Sequence, residues 1–260
     1  MPSPSPPDPA TGAALDPDAL LSPSVLRGEA DGAVAYELKF LVDEATARRV
    51  EAWAAAALRR DPFGAAAADG AYPTTTLYLD TPALDVLHRA PGLAGRKYRV
   101  RKYDDGGTLY VERKERRGDK VRKRRSALPA AALVDAASDA GAAGLASWFF
   151  EEAAAGGFRP TCTVGYRRTA FLDVDAAGPI RLTLDRTVRG GPSTAWALVE
   201  PATPTHVLAE SVICELKFRE AMPARFKRLV EETALAASGV SKYRRVMEAC
   251  GAAGDGGSHA

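Results

Sequence analysis

Apolar and polar residues alternate along much of this chain, and this period of two is typical of strands that bury one face. Tyr98 and Val100 fall on one face of such a segment, whereas Arg99 and Arg101 fall on the other. The predicted strands are 35–41, 72–80, 96–104, 108–116, 119–127, 161–174, 179–188 and 211–218. Turn sequences containing Gly and Asp separate the third, fourth and fifth strands, which predicts an antiparallel meander.

Helical periodicity fills the gaps between these strands. The predicted helices are 44–58 after an Asp43 N-cap, the Ala-rich 129–155 with breaks near Gly141 and Gly144, and a helix from Pro223 to about Ala237 that Gly239 ends. Because strands dominate, we predict an α+β fold, an eight-stranded antiparallel β-barrel tunnel with flanking helices. Closing the sheet into a barrel also removes exposed strand edges.

Composition indicates one ordered domain between two tails. The chain has 260 residues, 46% of them hydrophobic, which is enough for a globular core. We predict a Pro-rich, acidic, disordered tail at 1–33, a single domain at 34–250 and a second disordered tail at 251–260. No apolar run approaches the roughly 20 residues that a membrane span needs.

Cysteine and histidine are too sparse for several kinds of site. Cys162, Cys214 and Cys250 lack the spacing of a zinc site or a disulfide framework. They fit a reducing compartment, and we expect a cytoplasmic protein. The three His residues are scattered along the chain, which argues against a His-based metal site or a Ser-His-Asp triad.

Charge is concentrated in one region of the chain. Residues 96–125 hold 14 Lys and Arg against 5 Asp and Glu, a local net charge of +9, whereas the whole chain carries only +2. These cations lie on the polar faces of successive predicted strands. Arg and Lys donate charge-assisted hydrogen bonds to anionic oxygens, so the pattern predicts a ligand with several phosphates.

Acidic residues share these polar faces. The motif Glu-x-Lys occurs three times with both charges on one strand face, as Glu37/Lys39, Glu112/Lys114 and Glu215/Lys217. If the apolar faces pack against the helices, the charged faces point into the barrel, where charge is costly unless it is paired or bound to a ligand. Three Glu can pair with three Lys, and an anionic ligand accounts for the surplus cations. The carboxylates can also bind Mg or Mn, which accompany phosphates.

Two other interpretations of the charged faces are available. A single Glu-x-Lys on a strand is more often a solvated cross-strand pair, but the repetition in phase with strong apolar faces disfavours this. A basic sheet could face nucleic acid, with Tyr98, Tyr103 and Tyr110 as stacking partners. The acidic residues in phase with the basic ones would repel a nucleic-acid backbone, so we expect no nucleic-acid partner.

Nine short motifs, in order and spacing, resemble the VTC domain, a family of the CYTH-like triphosphate tunnel metalloenzymes. The motifs are AYELKF, YPTTTLYLDTP, YRVRKY, YVERK, VRKRR, YRRTAF, IRLTLDR, CELKF and SKYRR. They span roughly residues 34–248. The resemblance implies an eight-stranded tunnel, and eukaryotic members make inorganic polyphosphate from the γ-phosphate of ATP with Mn or a similar divalent cation.

The resemblance also implies roles for individual residues. The tunnel positions expected to act on phosphate are Lys39, Arg99, Arg101, Lys114, Lys123, Arg168 and Lys217. Further phosphate-binding residues are expected at Arg125, Arg181, Ser241, Lys242 and Tyr243. Glu215 matches the metal-binding glutamate, and Glu112 and Glu37 are the other expected metal ligands.

The resemblance and the residues together predict an ATP-dependent polyphosphate polymerase. Its expected partners are ATP and inorganic polyphosphate or pyrophosphate, with no membrane span in this chain and a possible membrane partner in trans. Ala35 replaces the first Glu of the tunnel signature Glu-x-Glu-x-Lys, which disfavours a two-metal hydrolase. The alternatives are a tripolyphosphatase or nucleoside triphosphatase, in which water attacks, and a non-catalytic polyphosphate-binding module.

Overall fold

The computed structural model describes residues 34–64, 67–103 and 106–252. The tail predicted at 1–33, and all but the first two residues of the tail predicted at 251–260, lie outside the described residues. The strands are β1 Val34–Val42, β2 Arg59–Arg60, β3 Ala71–Asp80, β4 Arg96–Tyr103, β5 Thr108–Arg117, β6 Lys120–Pro129, β7 Arg159–Asp175, β8 Gly178–Pro192, β9 Thr205–His206 and β10 Val212–Phe218. The α-helices are α1 Glu44–Ala57, α2 Asp85–His88, α3 Leu133–Ser138, α4 Ser147–Ala155, α5 Ala224–Glu232 and α6 Lys242–Ala249. Short 3-10 helices form at Pro62–Gly64, Ala130–Ala132 and Ala140–Ala146.

Eight of the strands close into an antiparallel barrel. The order around the ring is β7-β3-β4-β5-β6-β1-β10-β8, and β8 pairs with β7 to close it. The two-residue strands β2 and β9 extend β7 and β8 from outside the ring. This confirms the predicted α+β barrel and all eight predicted strands. β8 is longer than expected because its residues 190–192 pair with residues 162–164 of β7.

Two hydrophobic cores lie outside the barrel, between its outer surface and the helices. On one side, α1 and α5 cover β1, β8 and β10 and enclose Leu182, Leu216 and Phe226. On the other side, α3, α4 and α6 cover β3, β4, β5 and β7 around Val100 and Phe149. Each large apolar side chain buried in this way contributes about 1.5–3 kcal/mol. The apolar faces therefore point outward, as predicted, and leave the charged faces to line the interior.

The segment predicted as one broken helix at 129–155 is more divided than expected. Pro129 still belongs to β6, and the helical part consists of α3 and α4 with a 3-10 helix between them. Gly144 within that 3-10 helix has a φ of 52°, a left-handed conformation that glycine adopts without steric cost. The predicted break is thus confirmed, although the first helical residues were placed too early.

The prediction that the next helix reaches Ala237 is wrong. α5 ends at Glu232, and Ala237 instead forms a β-bridge with Phe40. The Ser238 N–H donates to the carbonyl of Lys39 at 2.7 Å, so the chain runs across the end of β1. That path carries the following residues to the barrel opening, where the unpredicted helix α6 begins. Among the residues that the structure describes, no helix has the length and apolar character to cross a membrane.

We expect Leu216→Ala to lower the free energy of unfolding by about 2–5 kcal/mol, because Leu216 is fully buried between β10 and the helices outside the barrel. Leu145→Ala is the matched control, since Leu145 is 93% exposed and should change stability by less than about 0.5 kcal/mol. Chemical denaturation measures both variants. Equal losses in the two would contradict the placement of the core outside the barrel.

Candidate functional site

The barrel interior opens into a cavity of about 560 Å³. Its wall carries eleven residues that the sequence singled out, namely Glu37, Lys39, Arg99, Arg101, Lys114, Arg168, Glu215, Lys217, Ser241, Lys242 and Tyr243. Cross-strand pairing explains why they meet. Glu37 faces Lys217 and Lys39 faces Glu215 across β1 and β10. Alternation along each strand therefore predicted correctly which side chains the barrel brings together.

Two glutamates and three lysines form one charged cluster on β1, β5 and β10. Lys39 lies 3.5 Å from Glu37 and 3.8 Å from Glu215, and Lys217 lies 3.3 Å and 3.4 Å from the same two carboxylates. Lys114 also donates to Glu37. Burial alone would raise the pKa of Glu37, but Lys114 and Lys217 outweigh it and hold that pKa well below its usual range. Burial lowers the pKa of Lys114 to about 7, because Glu37 offsets only part of the desolvation.

A second cluster surrounds Glu112, which is fully buried. Arg99 Nε lies 2.6 Å and Arg125 Nε 2.8 Å from its carboxylate. Lys123 lies at 3.5 Å and Arg101 at 4.0 Å. Burial opposes ionisation, yet Arg99 and Arg125 hold the pKa of Glu112 well below its usual range. Glu112 is thus a counter-ion shared by four cations, and these contacts give no support to the metal role expected for it.

Asp185 joins two of the predicted phosphate-binding residues. Arg168 donates to both of its oxygens, at 2.6 Å and 2.7 Å, and Lys242 Nζ lies 2.5 Å away. Lys242 also lies over the ring of Tyr166, 4.6 Å from its centre. Burial would raise the pKa of Asp185, but Arg168 and Lys242 hold it below its usual range. Asp185 shares the alternation phase of Arg181 on β8, but it was not among the residues predicted for the site.

Lys97 was missed altogether, although it shares the period-two phase of Arg99 and lines the cavity. Its Nζ donates to the Ser241 hydroxyl at 2.7 Å. Burial lowers the pKa of Lys97 well below its usual value, and the nearby cations Lys39, Lys114 and Arg99 lower it further. A buried amine held among other cations needs an anion close by to keep its charge.

The helix α6 holds one wall of the cavity in place. Ser241 is its N-cap and accepts from the Arg244 N–H at 3.4 Å. The Tyr243 hydroxyl donates to Asp80 at 2.6 Å. Asp80 is fully buried and also accepts the backbone N–H groups of Val86, at 2.9 Å, and Leu87, at 3.0 Å. Tyr243, expected among the phosphate-binding residues, therefore fixes α6 to the β3–α2 turn in this arrangement.

At the tunnel end opposite α6, aromatic rings surround an arginine–aspartate pair. Arg181 donates to Asp61 at 2.5 Å and to the Tyr72 hydroxyl at 3.0 Å. Phe63 packs beside Tyr72 and Tyr103, with ring centres 5.7 Å and 5.3 Å apart. Arg181 thus lies with an aromatic group that also reaches Arg125 and Arg101 through the Tyr103 hydroxyl. Asp61 and Phe63 come from a turn, where no strand alternation could have indicated them.

Inward-facing cations outnumber inward-facing carboxylates by more than two to one among the described residues. The cations are Lys39, Lys97, Arg99, Arg101, Lys114, Lys123, Arg125, Arg168, Arg181, Lys217 and Lys242. The carboxylates are Glu37, Asp61, Glu112, Asp185 and Glu215. Internal pairing therefore leaves several positive charges in the enclosed space, and a polyanion is the ligand that would balance them.

Oxygen ligands for a divalent cation are few. Within the described residues, no group of three or more His, Cys, Asp or Glu could hold a metal ion. Glu37 and Glu215 are nevertheless close enough to share both Lys39 and Lys217. Mg²⁺ commonly binds through one or two carboxylates together with substrate phosphates, so these two residues fit such an ion arriving with its substrate.

No curated protein sequence matches the chain significantly. Similar structures include a candidate adenylyl cyclase from Hippeastrum with a dominant triphosphatase activity, which is 15% identical with a TM-score of 0.49, over 84% of this chain and 96% of that one. A candidate adenylate cyclase from Bacillus halodurans is 10% identical, covers 79% and 92%, and has a TM-score of 0.49. A Pyrococcus horikoshii protein is 15% identical, covers 82% and 99%, and has a TM-score of 0.46.

The sequence model of the VTC domain matches residues 34–250. This range contains the ten strands and six α-helices that the described residues form, including every inward-facing charged residue described above. Because the match extends over most of the chain, the protein belongs to the VTC domain family.

Proposed function

We propose that the tunnel binds the triphosphate of ATP and transfers the γ-phosphate onto a growing inorganic polyphosphate chain. The observation that carries this proposal is the surplus of inward-facing Lys and Arg over carboxylates, with Lys39, Lys97, Arg99 and Lys114 lining one cavity. A ligand with several linked phosphates balances that charge better than a single anion does. Membership of the VTC domain family supports the transfer onto a chain, since eukaryotic members of that family make polyphosphate.

The reaction needs positioning and charge stabilisation from the protein. In phosphoryl transfer, negative charge spreads over the oxygens of the transferred group while the attacking and leaving oxygens stand roughly in line. Arg99, Arg101 and Arg168 line the deep part of the cavity and would hold these oxygens with charge-assisted hydrogen bonds. A terminal phosphate oxygen of the acceptor forms the new bond to the γ-phosphorus as the β–γ bridge breaks and ADP leaves. No protein nucleophile is needed.

Glu215 and Glu37 are the residues that would hold Mg²⁺ or Mn²⁺, which offsets negative charge on the phosphate oxygens when it is bound. Their neighbours Lys39 and Lys217 neutralise both carboxylates in the structure. These lysines can turn their charge toward phosphate once another cation occupies the carboxylates. Glu37 and Glu215 therefore make the positive charge of Lys39 and Lys217 available to phosphate when a metal ion is bound.

A second candidate function is hydrolysis of a triphosphate. It is favoured by the aromatic rings of Phe63, Tyr72 and Tyr103, which fill the tunnel beyond Arg101. Water fits into a narrow space beside these rings more easily than a phosphate chain does. Polymerase and hydrolase would use the same cations and differ in the group that attacks.

The product of ATP turnover tests the proposed function directly. We expect purified protein, ATP and Mn²⁺ to yield a ladder of phosphate chains on a gel, because the surplus cations stabilise the growing polyanion. Release of free phosphate alone would establish the hydrolase instead. Retained ATP binding with no product of either kind would establish a binding module and contradict both enzymes.

We expect Arg99→Ala with Arg101→Ala to weaken tripolyphosphate binding by about 10²-fold or more, since each hydrogen bond to a charged group contributes roughly 1.5–3 kcal/mol. The matched control is Arg113→Ala with Arg124→Ala, which removes two arginines that pair with Glu152 outside the barrel. Calorimetry measures both double variants. Unchanged affinity in the first, or an equal loss in the control, would contradict binding inside the tunnel.

We expect Glu215→Gln to lower turnover by about 10²-fold or more, with a smaller effect on phosphate affinity, because a bound metal acts mainly on the transition state. The substitution keeps the size of the side chain and removes its charge. Glu115→Gln is the control, because Glu115 pairs with Arg96 and Arg113 on the outer face of the barrel. Equal turnover of wild type and Glu215→Gln at saturating Mn²⁺ would rule out this role.

A further inference from the structure

Four aromatic rings fill the tunnel at the end opposite α6. Tyr72, Tyr103 and Tyr110 come from β3, β4 and β5, and they occupy inward positions in phase with Thr76, Arg101 and Glu112 of those strands. Phe63 enters from the 3-10 turn and packs 5.7 Å from Tyr72 and 5.3 Å from Tyr103 between ring centres. Tyr72 and Tyr103 are 2% and 7% exposed and Phe63 and Tyr110 are half-buried, so the rings close this end of the tunnel. We name Asp61 and Phe63 together the end plug.

A buried ion pair holds the end plug against the barrel. Asp61 is 5% exposed and accepts from Arg181 of β8 at 2.5 Å and from the Tyr72 hydroxyl at 3.4 Å. Its other oxygen accepts the Phe63 N–H at 3.1 Å, which fixes the turn that points the ring inward. One carboxylate therefore both shapes the turn and ties it to the tunnel wall.

The end plug is a local addition to the barrel. Among the described residues, its backbone connection to the ring consists of the two-residue strand β2 on β7 and the bond from the Asp61 N–H to the Ala170 carbonyl at 2.9 Å. The eight strands of the ring close without it. A segment attached by so few backbone bonds can open without unfolding the barrel.

The position of the end plug matters for the direction of attack. The cavity reaches the surface beside Arg116, Asp119 and Ser241. Under the proposed function, a triphosphate that enters there leaves its adenosine outside. The γ-phosphate then points toward the end plug. Attack must come from the side opposite the leaving oxygen, because the two oxygens stand roughly in line. The attacking group therefore approaches from the sealed end.

We infer that the end plug determines which group attacks the γ-phosphate. This inference rests on the proposed function. With the end plug in place, no phosphate chain reaches the γ-phosphate from that end, and a water molecule inside the cavity forms a bond to the γ-phosphorus as ADP leaves and gives up a proton, so that phosphate is released. When the end plug opens, as its few backbone bonds allow in wild type, a phosphate chain passes through that end. Its terminal oxygen then forms the new bond as the β–γ bridge breaks, and the chain grows by one phosphate.

Two substitutions test the end plug. Phe63→Ala removes the ring that entered from the turn, and Asp61→Asn weakens the pair with Arg181 while keeping an acceptor for the Phe63 N–H. Phe63→Trp is the matched control, because it keeps an aromatic ring at that position. Melting temperatures establish that each variant is folded, and Asp61→Asn keeps the test available if Phe63→Ala does not fold.

The first measurement needs no turnover. The affinity for linear phosphate chains of increasing length, followed by calorimetry without ATP, should level off in wild type once a chain fills the cavity. In Phe63→Ala and Asp61→Asn we expect long chains to bind at least about tenfold more tightly than in wild type, which corresponds to one further charged hydrogen bond. Tripolyphosphate should bind all variants equally, since it fits within the cavity.

The second measurement follows γ-labelled ATP into chain and free phosphate. We expect the two opening variants to shift label from free phosphate into chains, and Phe63→Trp to resemble wild type. If both opening variants keep the wild-type dependence on chain length, the end plug has no such role, whatever the enzyme makes. If no variant turns over ATP while chain-length dependence still changes, the proposed function fails and the end plug stands as a determinant of which chains bind.

Discussion

Charge enclosed within a barrel is the constraint on which the rest of this structure depends. Removing an ion from water costs several kcal/mol of hydration free energy, and only close ion-pair and hydrogen-bond partners compensate for that cost. Glu112 therefore draws four cations around itself, and Glu37 and Glu215 share two lysines. These contacts let the folded chain keep a cationic interior without a ligand, while the surplus of cations leaves the interior poised to take up an anion.

The same constraint reverses the usual arrangement of a domain, in which apolar side chains lie inside and charged side chains lie outside. With charge inside the ring, apolar burial has to come from the outer surface, which explains why helices cover two sides of the barrel. α6 belongs to both parts. Val246 and Met247 pack into an outer core, whereas Ser241 and Lys242 at its start reach into the cavity. A single helix thus couples the hydrophobic packing outside to the position of cations inside.

Strand alternation made the barrel and most of its charged lining predictable, because one period of two both buries the apolar face and aligns the cations. Lys97 obeys the same alternation as Arg99 and could have been found from it. Asp61 could not have been found in this way, because it lies in a turn, and whether a turn enters the barrel depends on how strands distant in sequence assemble. The residue at which α5 ends could not be predicted from the neighbouring sequence either, because pairing of Ala237 with Phe40 overrides the helical preference of an Ala-rich segment.

Pairing of the first strand with the last has a consequence for how the protein is made. β1 lies beside β10, and Lys97 of the middle strands reaches Ser241 of α6. During synthesis, a nascent chain therefore displays its cationic strands to water until residues near 245 have left the ribosome. Contacts of such long sequence separation close late and slowly. The complete cationic tunnel is consequently confined to the finished domain, and a prematurely terminated chain exposes its basic strands to cellular polyanions.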